Sequence, residues 1–191
     1  MKIEVRDTDE YDTGNHPEVA EIVFRRRVVG DFFKDNRFPN LVKLDCGNNG
    51  LAELELNCPS LQKLLCYDNQ LTKLELNYPS LQELWCYNNQ LTKLELSCPS
   101  LRFLSCHNNQ LTKLKLHCPS LRFLSCRHNQ LTELELNCPS LQELWCKNNQ
   151  LNDLNGIEFC ADLKKLYCSP AQRESAEILK IHLPDLIITY F

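Results

Sequence analysis

Residues 81–100 read LQELWCYNNQLTKLELSCPS, and residues 101–120 read LRFLSCHNNQLTKLKLHCPS. The same frame realigns every 20 residues, starting at Leu41, Leu61, Leu81, Leu101, Leu121 and Leu141. A fixed short period means stacked copies of one unit, each too small to bury its own apolar side. Six tandem coils therefore predict a solenoid whose core runs along the stack.

The first half of each coil follows L-x-x-L-x-C-x-x-N, as in Leu81, Leu84, Cys86 and Asn89. The second half follows L-x-x-L-x-L, as in Leu91, Leu94 and Leu96. Alternation at Leu84-Trp85-Cys86 and Leu94-Glu95-Leu96 predicts short strands, with Leu and Cys inward and the residues between them outward. Equivalent strands of neighbouring coils then lie about 4.8 Å apart as parallel ladders. Ten residues per half-coil leave no room for an α-helix and its turns. The expected architecture is mainly β, a flattened two-sided solenoid with two short parallel sheets.

The first half-motif resembles the leucine-rich-repeat signature, with Cys in its third apolar slot. The nesting of two half-motifs in one coil is similar to the short, irregular repeats of that family in bacteria and large DNA viruses. The resemblance runs from Leu41 to about Cys168. It implies a right-handed solenoid whose ligand surface is the outward face of the first strand set.

Two further columns mark the corners. Asn49, Asn69, Asn89, Asn109, Asn129 and Asn149 place an inward amide at one turn, where it can satisfy backbone groups of its own and neighbouring coils. Pro39, Pro59, Pro79, Pro99, Pro119 and Pro139 mark the other, at a position that donates no ladder hydrogen bond. With only five glycines, turns that need positive φ must be few or must use Asn.

A solenoid needs its ends covered. Residues 1–37 lack the repeat and are expected as a strand-rich N-terminal cap, with Ile22-Val23-Phe24 and Val28-Val29 as strands. Residues 38–168 form the array, in which Phe38-Pro39-Asn40 already imitates the Cys-Pro-Ser corner. Residues 169–191 are expected as a C-terminal cap. Ser169-Pro170-Ala171-Gln172 has the N-cap, N1 and N3 residues of a helix start, followed by helix to about His182 and a last strand at 186–190.

Twelve cysteines fall in two columns. Cys46, Cys66, Cys86, Cys106, Cys126, Cys146 and Cys168 fill the third apolar slot. Cys58, Cys98, Cys118, Cys138 and Cys160 sit beside the proline corner, where Tyr78 replaces one member. Zinc sites favour close C-x-x-C pairs, and none occurs. A buried thiol packs as a small hydrophobe, which suits a column that tolerates Tyr. Reduced, packing cysteines are expected, with no metal and no cofactor.

Composition narrows function. The net charge is -4, from 21 Lys and Arg against 25 Asp and Glu, without the basic excess of a nucleic-acid binder. The charged start Met1-Lys2-Ile3-Glu4 does not read as a signal peptide, and no apolar run reaches membrane-spanning length. A cytoplasmic protein (host cytoplasm if viral) is the expectation. Scattered histidines, serines that recur only with the repeat, and the lack of a glycine-rich phosphate loop give no support to an enzyme.

A site is expected where the repeat varies. The variable outward positions of the first strand set include Leu65, Tyr67, Trp85, Tyr87, Phe103, His107, Phe123, Arg127, Trp145, Lys147 and Tyr167. Trp, Tyr and Arg are enriched at binding hot spots, and large exposed aromatics on a sheet are unusual. Binding of a protein partner there is the leading expectation. Self-assembly through this face or the solenoid ends, and carbohydrate binding by Trp85, Tyr87 and Trp145 with Glu83 and Glu143 nearby, are the alternatives. Aromatic ladders also stabilise sheets by themselves. The second strand set, with Thr72, Lys73 and Glu75 and their repeats, is expected to be a solvated surface.

Overall fold

The computed structural model describes residues 1–5, 16–24, 35 and 38–191; the expected Val28-Val29 strand lies outside them. In chain order the strands are β1 (Lys2–Val5), β2 (Glu21–Phe24), β3 (Lys43–Asp45), β4 (Lys63–Leu65) and β5 (Lys73–Leu76). They continue with β6 (Glu83–Trp85), β7 (Lys93–Leu96), β8 (Phe103–Ser105), β9 (Lys113–Leu116) and β10 (Phe123–Ser125). β11 (Glu133–Leu136), β12 (Glu143–Trp145), β13 (Lys165–Cys168) and β14 (Ile187–Tyr190) complete the set, with helix α1 (Arg173–His182) between the last two.

The first sheet is one parallel ladder of ten strands among the described residues, in the order β1-β2-β3-β4-β6-β8-β10-β12-β13-β14. Within the array each step between neighbouring strands is one coil. Leu84 thus lies opposite Leu64 and Leu104, and Trp85 opposite Leu65 and Ser105. That register turns every repeat position into a column along the axis. The inward columns make the core: Leu81, Leu84, Cys86 and Leu91, like their equivalents in most coils, are fully buried.

The second of the two expected short parallel sheets is present but divided. It consists of two separate two-stranded ladders, β5 with β7 and β9 with β11. Thr92 N donates to Thr72 O at 3.0 Å and Thr132 N to Thr112 O at 2.9 Å, but no ladder joins β7 to β9. The gap is a shallow crevice bordered by Thr92, Leu94, Leu96, Thr112 and Lys113. Leu96 is left half-buried where Leu76, Leu116 and Leu136 are buried. The physical reason is support. The first sheet is braced at its ends by side-chain hydrogen bonds, whereas these strands are solvated on their outer face, where water competes for inter-coil bonds.

That bracing is the asparagine column. Asn109 Nδ2 donates to Cys86 O at 3.1 Å and Cys106 O at 3.0 Å, while its Oδ1 accepts from Leu91 N at 2.9 Å. Asn69, Asn89, Asn129 and Asn149 repeat this pattern, stitching each coil to the one before. The residue before each has a left-handed backbone: Asn48, Asp68, Asn88, Asn108, His128 and Asn148. Asn thus replaces Gly at most of these turns, because its short polar side chain tolerates this region.

The ends continue the same logic. In the N-terminal segment Ile22 pairs opposite Leu44, and Leu41 N donates to Phe38 O at 3.1 Å as Leu61 N does to Cys58 O at 3.0 Å. At the other end Ser169 N donates to Gln172 Oε1 at 3.0 Å, and buried Gln172 donates onward to Leu151 O. A tight 3-10 turn at Pro170–Gln172 precedes α1, so the expected helix opens with a narrower first turn. β14 then adds to β13 in parallel.

All twelve cysteines are free and buried. Burial pushes the Cys66 and Cys106 thiols up to about 12, so both remain unreactive thiols at neutral pH. In the corner column Cys98 Sγ faces Leu76 O at 3.7 Å and Cys138 Sγ faces Leu116 O at 3.8 Å. Tyr78 takes the same place: its hydroxyl donates to Leu56 O at 2.7 Å. One column thus accepts Cys or Tyr because either puts a donor on the same carbonyl.

Candidate partner-binding face

The outward side of the first sheet carries three parallel columns. The first holds Lys43, Lys63, Glu83, Phe103, Phe123, Glu143 and Lys165. The second holds Asp45, Leu65, Trp85, Ser105, Ser125, Trp145 and Tyr167. The third, one turn on, holds Gly47, Tyr67, Tyr87, His107, Arg127 and Lys147. Every residue expected at a site lies in one of these columns.

The rings pack against each other along the axis. Tyr67 stacks on Tyr87 with centroids 5.0 Å apart, and Tyr87 on His107 at 4.7 Å, the ring planes nearly parallel in both pairs. Phe103 and Phe123 stack at 4.6 Å, and Trp85 leans across onto Phe103 at 4.6 Å. A separate group forms at the C-terminal end, where Trp145 stacks on Tyr167 at 4.1 Å and Tyr167 approaches Phe191 at 6.1 Å. Gly47 leaves room for the Tyr67 ring, which covers it: a Cβ there would lie 2.6 Å from the ring and push it aside. Leu65 is half-buried between Asp45 and Trp85.

Ser105 and Ser125, expected outward, are instead only 3% and 5% exposed. Their side chains are small, and the larger groups around them close over the gap. Ser105 Oγ lies 2.9 Å from His107 Nδ1. Burial, with Arg127 and His128 adding like charge, pushes His107 down to about 4, so the ring is neutral at physiological pH.

The charges in the first column are paired. Lys43 reaches Glu21 at 2.6 Å, Lys63 pairs with Glu83, and Lys165 meets Glu143 at 3.5 Å. Trp145 Nε1 also donates to Glu143, at 2.6 Å. Arg127 and Lys147 behave differently. The Arg127 guanidinium lies 5.5 Å from the Trp145 ring centre, and Lys147 Nζ lies 3.8 Å from that of Phe191. Both cations rest on rings instead of carboxylates.

Sequence reasoning missed three cations on the rim of this face. Arg102, Arg122 and Lys164 are exposed immediately before β8, β10 and β13. Their signal was present, as Arg or Lys at a position held by Gln in other coils, but it lay outside the period-2 strand core. Among the described residues no cluster of His, Cys, Asp or Glu is placed to hold a metal, and no helix is long and apolar enough to cross a membrane.

With this geometry established, known proteins can be set beside it. Family models described as leucine-rich repeats (2 copies) match residues 59–99, 79–117, 99–138 and 119–159, together just over half of the chain. The structure of YopM, a leucine-rich effector protein from Yersinia pestis, is 33% identical over 80% of this chain and 43% of its own, with a TM-score of 0.68. YopM from Yersinia enterocolitica is 26% identical over 80% of this chain and 38% of its own, with a TM-score of 0.57. The functional domain of InlJ from Listeria monocytogenes, which includes a cysteine ladder, shares the fold at 22% identity and a TM-score of 0.59. It covers 89% of this chain and 46% of its own. The chain spans less than half the length of each of these structures. No curated protein matches it. Repeat period, signature, coil geometry and family match agree, and the chain belongs to the leucine-rich-repeat family.

Proposed function

We propose that the chain is a protein-interaction scaffold that holds its partner against the outward face of the first sheet. Leucine-rich-repeat proteins serve as binding scaffolds, and the contacting residues here are Leu65, Tyr67, Trp85, Tyr87, Phe103, His107, Phe123, Arg127, Trp145, Lys147 and Tyr167. The observation that carries this reading is the run of ring stacks from Tyr67 to Phe123 and from Trp145 to Phe191, all on one side of the solenoid. Rings fixed by their neighbours lose little freedom when a partner settles on them, which makes them efficient anchors.

Carbohydrate binding fits less well. A sugar stacks on an open ring face, whereas Tyr87 and Phe103 turn their faces to neighbours. Glu83 and Glu143, the polar groups such a site would use, are occupied by Lys63 and Lys165. Catalysis by the Ser105–His107 pair fits poorly too, since Ser105 is covered. Self-association has one observation in its favour: large apolar side chains are exposed on the C-terminal elements, Ile178 and Ile181 on α1, and Ile187 and Phe191 at the end of the first sheet. Sedimentation across a concentration series tests it, and a purely monomeric chain excludes it.

The partner test compares wild type with the folded Trp85→Ala, Trp145→Ala double variant in affinity capture from a native lysate. A protein retained by wild type alone supports the reading. Equal retention by both proteins, with circular dichroism showing the fold intact, sinks it.

A further inference from the structure

Charge is distributed unevenly along the proposed binding face. In the first-sheet halves of the three coils from Leu41 to Asn89, Lys43 and Lys63 stand against Asp45, Asp68 and Glu83. In the corresponding segments from Leu101 to Cys168, six cations stand against Glu143 alone: Arg102, Arg122, Arg127, Lys147, Lys164 and Lys165. This basic half belongs to a chain whose net charge is -4.

Lys165 has Glu143. Arg102, Arg122, Arg127, Lys147 and Lys164 form no ion pair among the described residues, although cations on the second side pair throughout, as Lys73 with Glu75 and Lys115 with Glu135. Arg127 Nε is buried with no hydrogen-bond partner. A guanidinium partly withdrawn from water and lacking a carboxylate interacts strongly with one that arrives.

We infer that the partner segment covering the C-terminal half of this face is an acidic stretch of polypeptide, its carboxylates meeting Arg127 and Lys147 and, at the rim, Arg102 and Arg122. The inference rests on the binding-face reading and adds the partner's chemistry to it. Arg127 and Lys147 are one coil apart, about 4.8 Å, and the four cations span two such steps along the axis, from the coil of Arg102 to that of Lys147, the reach of a short extended chain and not of a small anion. Arg102 and Arg122 precede their strands and Arg127 and Lys147 follow theirs, so the two pairs flank the strand columns. The acidic side chains of an extended segment crossing the face recur on one side about every 6.8 Å and meet both pairs. Phe103, Phe123 and Trp145 lie on the strands between the two pairs and provide apolar contact between the charges. A nucleic acid fits less well, because bases need open ring faces, and the acidic remainder of the chain repels a long polyanion.

The test pans a displayed library of random linear peptides on the folded full chain. The expected pool is rich in Asp and Glu, weakens with added salt, and binds the Arg127→Gln, Lys147→Gln variant about tenfold more weakly than wild type. Rim variant Arg102→Gln, Arg122→Gln, substituted at exposed positions, is expected to show a smaller loss in the same direction. A neutral or basic pool, an acidic pool indifferent to both variants, or no enrichment overturns the inference. A pool that needs Trp85 and Trp145 but has no acidic bias overturns the charge inference and leaves the face reading standing. A pool that binds the tryptophan double variant and both charge variants undiminished sinks both. Tighter binding of a single-stranded thymidine oligonucleotide than of the selected peptides makes the surface a nucleic-acid site and also overturns the inference.

Discussion

The two sides of each coil share one leucine framework and face water with different chemistry. On the first side the outward columns hold rings, two ring-bound cations and a ladder continuous from β1 to β14. On the second side they hold Thr, Lys and Glu, and the ladder parts between β7 and β9. The inward residues are leucines and cysteines on the first side and leucines on the second, apolar on both, so an apolar interior alone does not distinguish them. What distinguishes them is lateral support. Asparagine amides and stacked rings bind coil to coil on the first side, whereas exposed ion pairs contribute little on the second.

The largest expected effect comes from cutting that support. Asn109→Ala removes donors from two buried carbonyls and the acceptor for Leu91 N, leaving buried groups unsatisfied. It should cost about 3 kcal/mol in chemical denaturation. A loss no greater than that of an exposed Gln110→Ala control would mean that the column does not brace the sheet. Next is the ring ladder. A double-mutant cycle on Phe103→Ala and Phe123→Ala should show a coupling of about 1 kcal/mol. Zero coupling would make the stack a surface kept for binding alone.

A pH effect is expected on the first side. His107 titrates well below the ordinary imidazole range, because burial and the neighbouring Arg127 and His128 oppose its charge. Asp68 favours protonation but is outweighed, and Tyr87 and Ser105 are the uncharged groups packed against the ring. The unfolded chain takes up this proton near pH 6.5 and the folded chain only at about 4. Stability is therefore complete above the upper value and declines as pH falls through this window. Denaturation in the His107→Gln variant should show a shallower decline, and a nuclear magnetic resonance titration placing His107 at its ordinary value would refute the account. The smallest effect belongs to the second side. Lys113→Ala with Glu133→Ala should leave the melting midpoint unchanged, and a marked drop would show that side to be more than a solvated surface.

Much of this was legible in the residues. The period set the coil, the L-x-x-L-x-C-x-x-N spacing set which residues turn inward, and Ser169 to Gln172 marked the helix start. The eleven expected site residues lie on one face because a 20-residue register carries each repeat position to its equivalent in the next coil. Less visible was how neighbours in different columns would lean. Trp85 reaching Phe103, and Ser105 disappearing beneath its surroundings, depend on side-chain packing between columns and not on period. Arg102 and Arg122 were passed over because a strand-alternation argument stops at the strand's first residue.

By itself the sequence determined the solenoid, the inward leucine and cysteine columns, the amide column at the turn and the side on which variation collects. All of these follow from periodicity, which needs only local spacing and a repeated register. Only the tertiary structure decided where the second ladder parts, which serines are covered, that Tyr78 substitutes for Cys by reaching the same carbonyl, and that Arg127 and Lys147 rest on rings without carboxylates. Those outcomes depend on distances between side chains of different coils, and a repeating pattern specifies which residues become neighbours without specifying how they fill the space between them.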